Sequence, residues 1–255
     1  MTFRVLILGG TTEARLLAER LAQDSRFEVT VSLAGRTANP VAHAVPVRSG
    51  GFGGASGLAD HLRRNRVAML VDATHPFAAI MSRNAEAAAK TAGTDLMVLR
   101  RPPWRPQADD RWTMHRDIAE AVSGLGASPR RVFVTLGRTD LTALFAAPQH
   151  RYLVRSVDPV EPRLDLASID YILDRGPFDV AGEMALLAKW RIEAIVSKNS
   201  GGEASRAKLI AARRLGIAVE MVERPAPGQV PALPTVEAAI EALNHRVASM
   251  AERGE

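Results

Sequence analysis

Phe3-Arg4-Val5-Leu6-Ile7-Leu8-Gly9-Gly10-Thr11-Thr12-Glu13-Ala14 is the stretch whose reading decides the fold. Phe3–Leu8 has the length and apolar density of a buried strand. Apolar residues then recur at helical spacing, Ala14, Leu17, Ala18 and Leu21, so Thr12–Ala22 reads as a helix. Strand, glycine turn and helix make the first step of an α/β fold. Glycines at such a turn permit positive φ and close backbone approach, and the helix N-terminus offers free N–H groups to an anion. That helix end contributes about 0.3–1 kcal/mol, so it orients a phosphate rather than capturing one alone. Thr11 stands at the second-glycine position of the G-x-G-x-x-G fingerprint, so Gly9 to Glu13 read only as a ligand-binding first turn; a tight turn with a helix cap would use the same residues.

The same alternation continues. Phe27–Leu33, Ala68–Val71, Leu96–Leu99, Arg131–Leu136, Tyr152–Val157, Tyr171–Leu173, Ala194–Ser197 and Ala218–Met221 read as strands, the last closing the sheet. Helices are expected near 58–64, 79–91, 118–125, 180–190 and 204–215, with another from Val236. Arg101–Arg111, rich in proline and charge, is expected to be irregular, and Pro225 to Pro234 a link. Gly126-Ala127-Ser128-Pro129 is the candidate boundary, giving domains 1–127 and 128–255. Leu8-Gly9-Gly10-Thr11 and Leu136-Gly137-Arg138-Thr139 echo each other, each ending a first strand. The expected class is α/β with mainly parallel strands, in two similar halves.

Composition narrows the function classes. The 255 residues contain no cysteine, which excludes disulfides, thiolate metal sites and thiol catalysis. Six scattered histidines show no paired spacing, so no metal site is expected. No apolar run approaches the roughly 20 residues of a membrane span, and a strand beginning at Phe3 leaves no room for a leader, so a cytoplasmic protein without membrane contact is expected. The net charge is +5, carried by 29 Arg and 4 Lys. No basic run exceeds two residues and aromatics are 5 %, so nucleic acid is not the expected partner. The arginines either decorate a solvated surface or line a cleft for a multiply anionic small ligand, which their planar fork suits.

Three further segments carry chemistry. After the second strand, Ser32-Leu33-Ala34-Gly35-Arg36-Thr37 has no acid in reach to hold an NAD ribose; an arginine and hydroxyls stand there instead, as for an NADP phosphate. Asp72-Ala73-Thr74-His75-Pro76-Phe77 follows a strand at the carboxyl edge where open α/β sheets bind ligands. His75 there suits a hydrogen bond to a cofactor, delivery of a proton, or a helix-capping role. Ser197-Lys198-Asn199-Ser200-Gly201-Gly202, with Arg138 after the matching first strand, makes an anion cradle in the second half, without P-loop spacing.

Taken in order, the turn 9–14, the segment 72–78, Gly137-Arg138, Arg175-Gly176-Pro177-Phe178, residues 197–202, Lys208-Leu209, Leu215-Gly216-Ile217 and Arg224-Pro225 resemble the precorrin-6A reductase family of cobalamin biosynthesis across nearly the whole chain. The resemblance implies two Rossmann-like domains with mainly parallel sheets and a ligand cleft between them, and hydride transfer from NADPH to a tetrapyrrole, precorrin-6A, giving precorrin-6B. It implies cofactor contacts at Gly9, Gly10, Thr11, Thr12, Glu13, Ser32, Gly35, Arg36, Asp72, Ala73 and Thr74. Substrate contacts would fall at Arg15, Gly137, Arg138, Lys198, Ser200, Gly201 and Gly202, with His75 and Lys198 as candidate catalytic groups. The polycarboxylate substrate would give the excess arginine a purpose, and the nicotinamide would carry the hard chemistry. Transient contact with neighbouring pathway enzymes is an expectation of the same kind. The alternatives are a cobalt-precorrin-6A reductase and a non-catalytic Rossmann-type nucleotide-binding protein. A charge-assisted hydrogen bond is worth about 1.5–3 kcal/mol, so Arg36→Ala should raise KM for NADPH roughly tenfold or more and leave NADH nearly unchanged. Steady-state kinetics with both cofactors checks this, and equal losses would make Arg36 structural.

Overall fold

A computed structural model describes residues 2–35 and 41–253. Its chain divides into two compact units, residues 1–102 with 225–255, and residues 103–224. Each contains one six-stranded sheet in which every strand is parallel.

In the first unit, β1 (Phe3–Leu8), β2 (Phe27–Leu33), β3 (Val47–Ser49), β4 (Met69–Asp72) and β5 (Asp95–Leu99) are joined by β12 (Ala232–Leu233) in the order β3-β2-β1-β4-β5-β12. This is the Rossmann order, with the reversal of winding between β1 and β4. Both faces are covered, which is why β1 carries no polar alternation. On one face α1 (Thr12–Leu21) and α7 (Val236–Arg253) insert Ala14, Leu17, Leu21, Ala239 and Leu243 among the odd residues of β1. On the other, α2 (Gly54–Arg64) and α3 (Ala79–Ala92) bring Leu58, Leu62, Ala85 and Ala88 against Leu6, Leu8 and Leu70.

The second unit repeats the order: β9-β8-β7-β10-β11-β6, built from β6 (Trp112–His115), β7 (Arg131–Thr135), β8 (Arg151–Ser156), β9 (Ile169–Leu173), β10 (Ala194–Lys198) and β11 (Ala218–Val222). α5 (Val180–Lys189) and α6 (Ala207–Leu215) cover one face through Leu187, Leu209 and Ala212 packed with Phe133 and Ile195. α4 (Ile118–Gly124) contributes buried Ala121 and Val122, and a 3₁₀ segment, Arg138–Ala146, follows β7. The echo at Gly9 and Gly137 therefore marks the same turn, after the first strand of two like-ordered sheets.

Two expectations are corrected. The division does not fall at 127/128, because the sixth strand of each sheet comes from beyond the linker. β6 follows β5 in the chain yet pairs with β11, and β12 follows β11 yet pairs with β5. For the same reason β11 does not close its sheet; β6 lies outside it. β3, β6 and β12 escape the sequence reading because they are two to four residues long and sit at or near sheet edges, where no apolar run is required.

The exchanged strand β6 is fastened by His115, whose Nε2 meets Glu220 Oε2 of β11 at 2.6 Å, both side chains nearly buried. Gly124 lies over this pair; a Cβ there would come within 2.7 Å of His115 Cε1 and 3.1 Å of Glu220 Oε2. Glycine to alanine in a helix ordinarily gains about 1 kcal/mol, whereas overpacking a filled site costs about 1–3 kcal/mol. Gly124→Ala should therefore lower the unfolding free energy by a net amount of up to about 2 kcal/mol in urea melts; a gain would mean that the His115–Glu220 contact gives way.

Candidate active site

The carboxyl edge of the first sheet gathers the turns after β1 and β4 on either side of the winding reversal. Gly9 donates its N–H to Ser32 O, and a Cβ on it would lie 3.0 Å from Val31 Cγ1. Gly10 sits at φ 108° with nothing within 4 Å of where its Cβ would be, so the turn has an open side. Thr11 caps α1: its Oγ1 accepts from Ala14 N at 3.1 Å and donates to the Ala73 carbonyl at 2.7 Å. One hydroxyl thus ends one turn and ties it to the other. Thr12 begins α1, and Glu13 in its first turn pairs with Arg101 Nη1 at 2.5 Å.

After β4, the buried Asp72 accepts from Thr74 N at 3.1 Å and from Thr74 Oγ1 at 2.6 Å, while its other oxygen lies 3.5 Å from Arg100 Nη2. Its carboxylate shapes the turn and offers little surface to a ligand. His75 Nδ1 accepts from Phe77 N at 3.3 Å, which puts the proton of the neutral ring on Nε2. Beside this turn is a cavity of about 310 Å³ lined by Asp72, Ser82, Glu86, Arg100 and segment 227–232. Glu86 Oε1 closes on that segment by accepting from Gln229 N at 3.1 Å.

At the β2 end, Gly35 takes φ 71° and Gly50 donates to Leu33 O. Arg36 lies outside the described residues. The structure adds a cation that sequence reasoning missed: Arg48, at the centre of β3, donates to Ser32 Oγ at 2.8 Å and to Gly50 O at 3.0 Å, with its guanidinium 3.8 Å from the centre of the Phe52 ring. β3 has only three residues, so the sole available signal was an arginine beside a glycine run. Arg15 is in the first unit, paired with Glu19 one turn along α1, and not among the second-unit residues expected to share its role.

In the second sheet the corresponding turns follow β7 and β10. Gly137 opens the 3₁₀ segment beginning at Arg138, with Asp140 Oδ2 3.2 Å from where a Gly137 Cβ would stand. Lys198 Nζ pairs with Asp140 Oδ2, so here an ion pair ties the two turns as the Thr11 hydroxyl does in the first unit. Lys198 is consequently a compensated cation. Asn199 is buried and bonds the Trp104 backbone both ways, accepting from its N–H at 2.8 Å and donating to its carbonyl at 3.0 Å. Ser200 is nearly buried, Gly201 turns at φ 70°, and Gly202 precedes a short 3₁₀ turn, Glu203–Ser205, that leads into α6. The structure therefore brings together Gly137, Arg138, Lys198, Ser200, Gly201 and Gly202, and separately Gly9 to Glu13 with Asp72 to His75.

Across this chain the family profile described as Precorrin-6x reductase CbiJ/CobK matches residues 4–244. The chain belongs to the precorrin-6x reductase family. A relative from Sinorhizobium sp, "Precorrin-6A reductase", is 53 % identical over 245 residues, 96 % of this chain and 94 % of its own. Another of that name, from Rhodobacter capsulatus, is 51 % identical over 88 % of each chain. A "Cobalt-precorrin-6A reductase" from Methanothermobacter thermautotrophicus is 30 % identical, over 87 % of this chain and 76 % of its own. The solved structure "CobK precorrin-6A reductase" superposes with a TM-score of 0.92 at 48 % identity, covering 96 % of this chain and 97 % of that one. Among the described residues no helix of this reductase-family member is long and apolar enough to cross a membrane.

Losing a Thr N-cap costs about 0.5–2 kcal/mol. Thr11→Ala should lower stability by that amount and, by freeing the β1 turn from Ala73, raise KM for the enzyme's reductant several-fold. A stability loss with unchanged KM would confine Thr11 to capping.

Proposed function

We propose that this protein reduces precorrin-6A to precorrin-6B in cobalamin biosynthesis, with NADPH as hydride donor. The observation that carries the reading is the near full-length likeness to proteins named precorrin-6A reductase at 51–53 % identity, against 30 % for the cobalt-precorrin-6A reductase. That difference favours the cobalt-free substrate over the cobalt-containing one. The cytoplasm is the proposed location, and neighbouring pathway enzymes the proposed transient partners.

The first unit fits a dinucleotide. The open side of Gly10, the capped N-terminus of α1 and the cation at the β2 edge are the three features such a ligand needs. In this reading the N–H groups from Gly10 to Glu13 hold the pyrophosphate, while Ser32, Gly35, Arg36 and Arg48 surround the adenosine phosphate. Ala73 and Thr74 present the second wall, kept in shape by Asp72, and the Nε2 proton of His75 is offered to the cofactor or to the macrocycle. NADPH, when bound, supplies the hydride. Reduction of the carbon–carbon double bond also consumes one proton, delivered by His75, Lys198 or solvent. In the second unit Gly137, Arg138 and residues 198–202 receive carboxylates of the macrocycle. Arg15, paired with Glu19 on α1, is a further proposed contact for a substrate carboxylate.

Anaerobic incubation of the purified protein with precorrin-6A should oxidise one NADPH per macrocycle reduced. Cofactor binding without oxidation would make it a nucleotide-binding protein, and turnover only of the cobalt complex would reassign the substrate. A phosphate contact from Arg48 predicts that Arg48→Ala raises KM for NADPH roughly tenfold, from a charge-assisted bond of about 1.5–3 kcal/mol, and changes NADH little. Equal effects on both cofactors would leave Arg48 as a brace between β2 and β3.

A further inference from the structure

Lys208 occupies a position where chemistry disfavours it. It lies in the first turn of α6 with 4 % of its surface exposed, next to the core residues Ala207, Leu209, Ala211 and Ala212. An unbranched apolar side chain would fill such a place without burying a charge. What the ammonium does there is specific. Its Nζ donates to the Ser205 carbonyl at 3.0 Å and lies 5.1 Å from the centre of the Trp104 ring.

Ser205 ends the segment that begins at Asn199. At its start this segment is fixed by the two Asn199–Trp104 backbone bonds. Near its end Phe178 N donates to Ala204 O at 3.2 Å, and Gly176 fits against the same carbonyl, with 3.1 Å left for a Cβ. Phe178 in turn stacks on the Arg155 guanidinium at 3.6 Å. Arg155, on β8, is buried in a two-pronged pair with Glu183 of α5. These are the charged groups facing Lys208, and their pair nearly cancels, so Lys208 brings the net charge of the cluster. Burial first, and the Arg155 charge second, push the Lys208 ammonium down to about 7, against the opposing pull of Glu183. A charged donor binds a carbonyl about twice as strongly as a neutral one.

We propose that Lys208 is a positioning residue whose ammonium, by gripping the Ser205 carbonyl, holds residues 199–205 in the shape that receives a substrate carboxylate, and that loss of its proton slackens the segment. The substrate half of this statement rests on the function proposed above; the hold on the segment does not. Acetate and propionate carboxylates are ionised throughout the neutral range, so the substrate does not itself titrate there.

Three variants and four readouts test it. In a Trp112→Phe, Trp190→Phe background, Trp104 fluorescence should titrate between pH 6 and 9, and Lys208→Met should abolish the step. Amide protection over residues 199–205 should exceed that of Lys208→Met at pH 6.5 and match it at pH 8.5; comparison at equal pH removes the intrinsic base dependence of exchange. KM for precorrin-6A should rise roughly three- to tenfold from pH 6.5 to 8.5 in the wild type, the range expected for losing charge assistance from one hydrogen bond. It should be high and flat in Lys208→Met, and low and flat in Lys208→Arg, with KM for NADPH following no such step. Folding of Lys208→Met is checked by melting. Because the unfolded lysine keeps its proton up to about 10.5, wild-type stability should rise with pH from about 7 to 10, and the methionine variant should lack this rise. A Trp104 signal that does not titrate, or equal protection of the segment in wild type and Lys208→Met at pH 6.5, overturns the proposal. A segment that follows pH while the substrate KM stays flat upholds Lys208 as its anchor and removes the segment from the substrate site.

Discussion

In both sheets every strand runs the same way, so every carboxyl end emerges on one edge, and there two neighbouring turns part company where the winding reverses. Turns that diverge cannot share a ladder, and their backbone groups need other partners. The first unit meets this with one hydroxyl, Thr11 Oγ1, bonded to a helix N–H on its own turn and a carbonyl on the other. In the second the two turns are tied instead side chain to side chain, by the Lys198–Asp140 ion pair. The candidate sites are what remains open around these ties: the unfilled space beside Gly10, helix starts, and side chains held by their neighbours.

The exchange of sixth strands adds a second constraint. β6 and β12 are short, and each joins a sheet whose other strands lie elsewhere in the chain. Neither has enough apolar surface to define its place alone. β6 is located by the nearly buried His115–Glu220 contact and by a glycine small enough to pass over it. β12 is carried by the segment that bonds Glu86 through Gln229 N and by the register of Ala232 and Leu233 against Val98 and Leu99. Long-range pairing of this kind is strongest when neither partner tolerates an alternative register.

Charge is used locally. The net +5 invites the picture of a basic surface, yet at the site turns the charges come in pairs: Glu13 with Arg101, Asp72 with Arg100, Asp140 with Lys198, and Arg155 with Glu183. Exposed pairs contribute about 0–1 kcal/mol, so those that are nearly buried matter through geometry more than through stability. Arg48 follows the same logic, with a serine hydroxyl, a backbone carbonyl and an aromatic face fixing its guanidinium beside the end of β2.

The amino-acid sequence by itself determined the local units. β1, β2 and the apolar stripe of α1 fall where periodicity put them, as do the glycine turns at Gly9 and Gly201, because strand and helix periods and glycine's φ freedom act over a few residues. The order of motifs along the chain carried the family resemblance. The sequence could not locate the division of the chain, the partners of β6 and β12, the engagement of Asp72 and Lys198, or the roles of Arg48 and Lys208. Those depend on which segments meet, from Arg48 with Ser32 sixteen residues apart to β6 and β12 with partners more than a hundred residues away, or on whether a charge ends beside another charge. Only tertiary packing decided them, because a side chain's partner and its desolvation are properties of the assembled core and not of its neighbours in the chain.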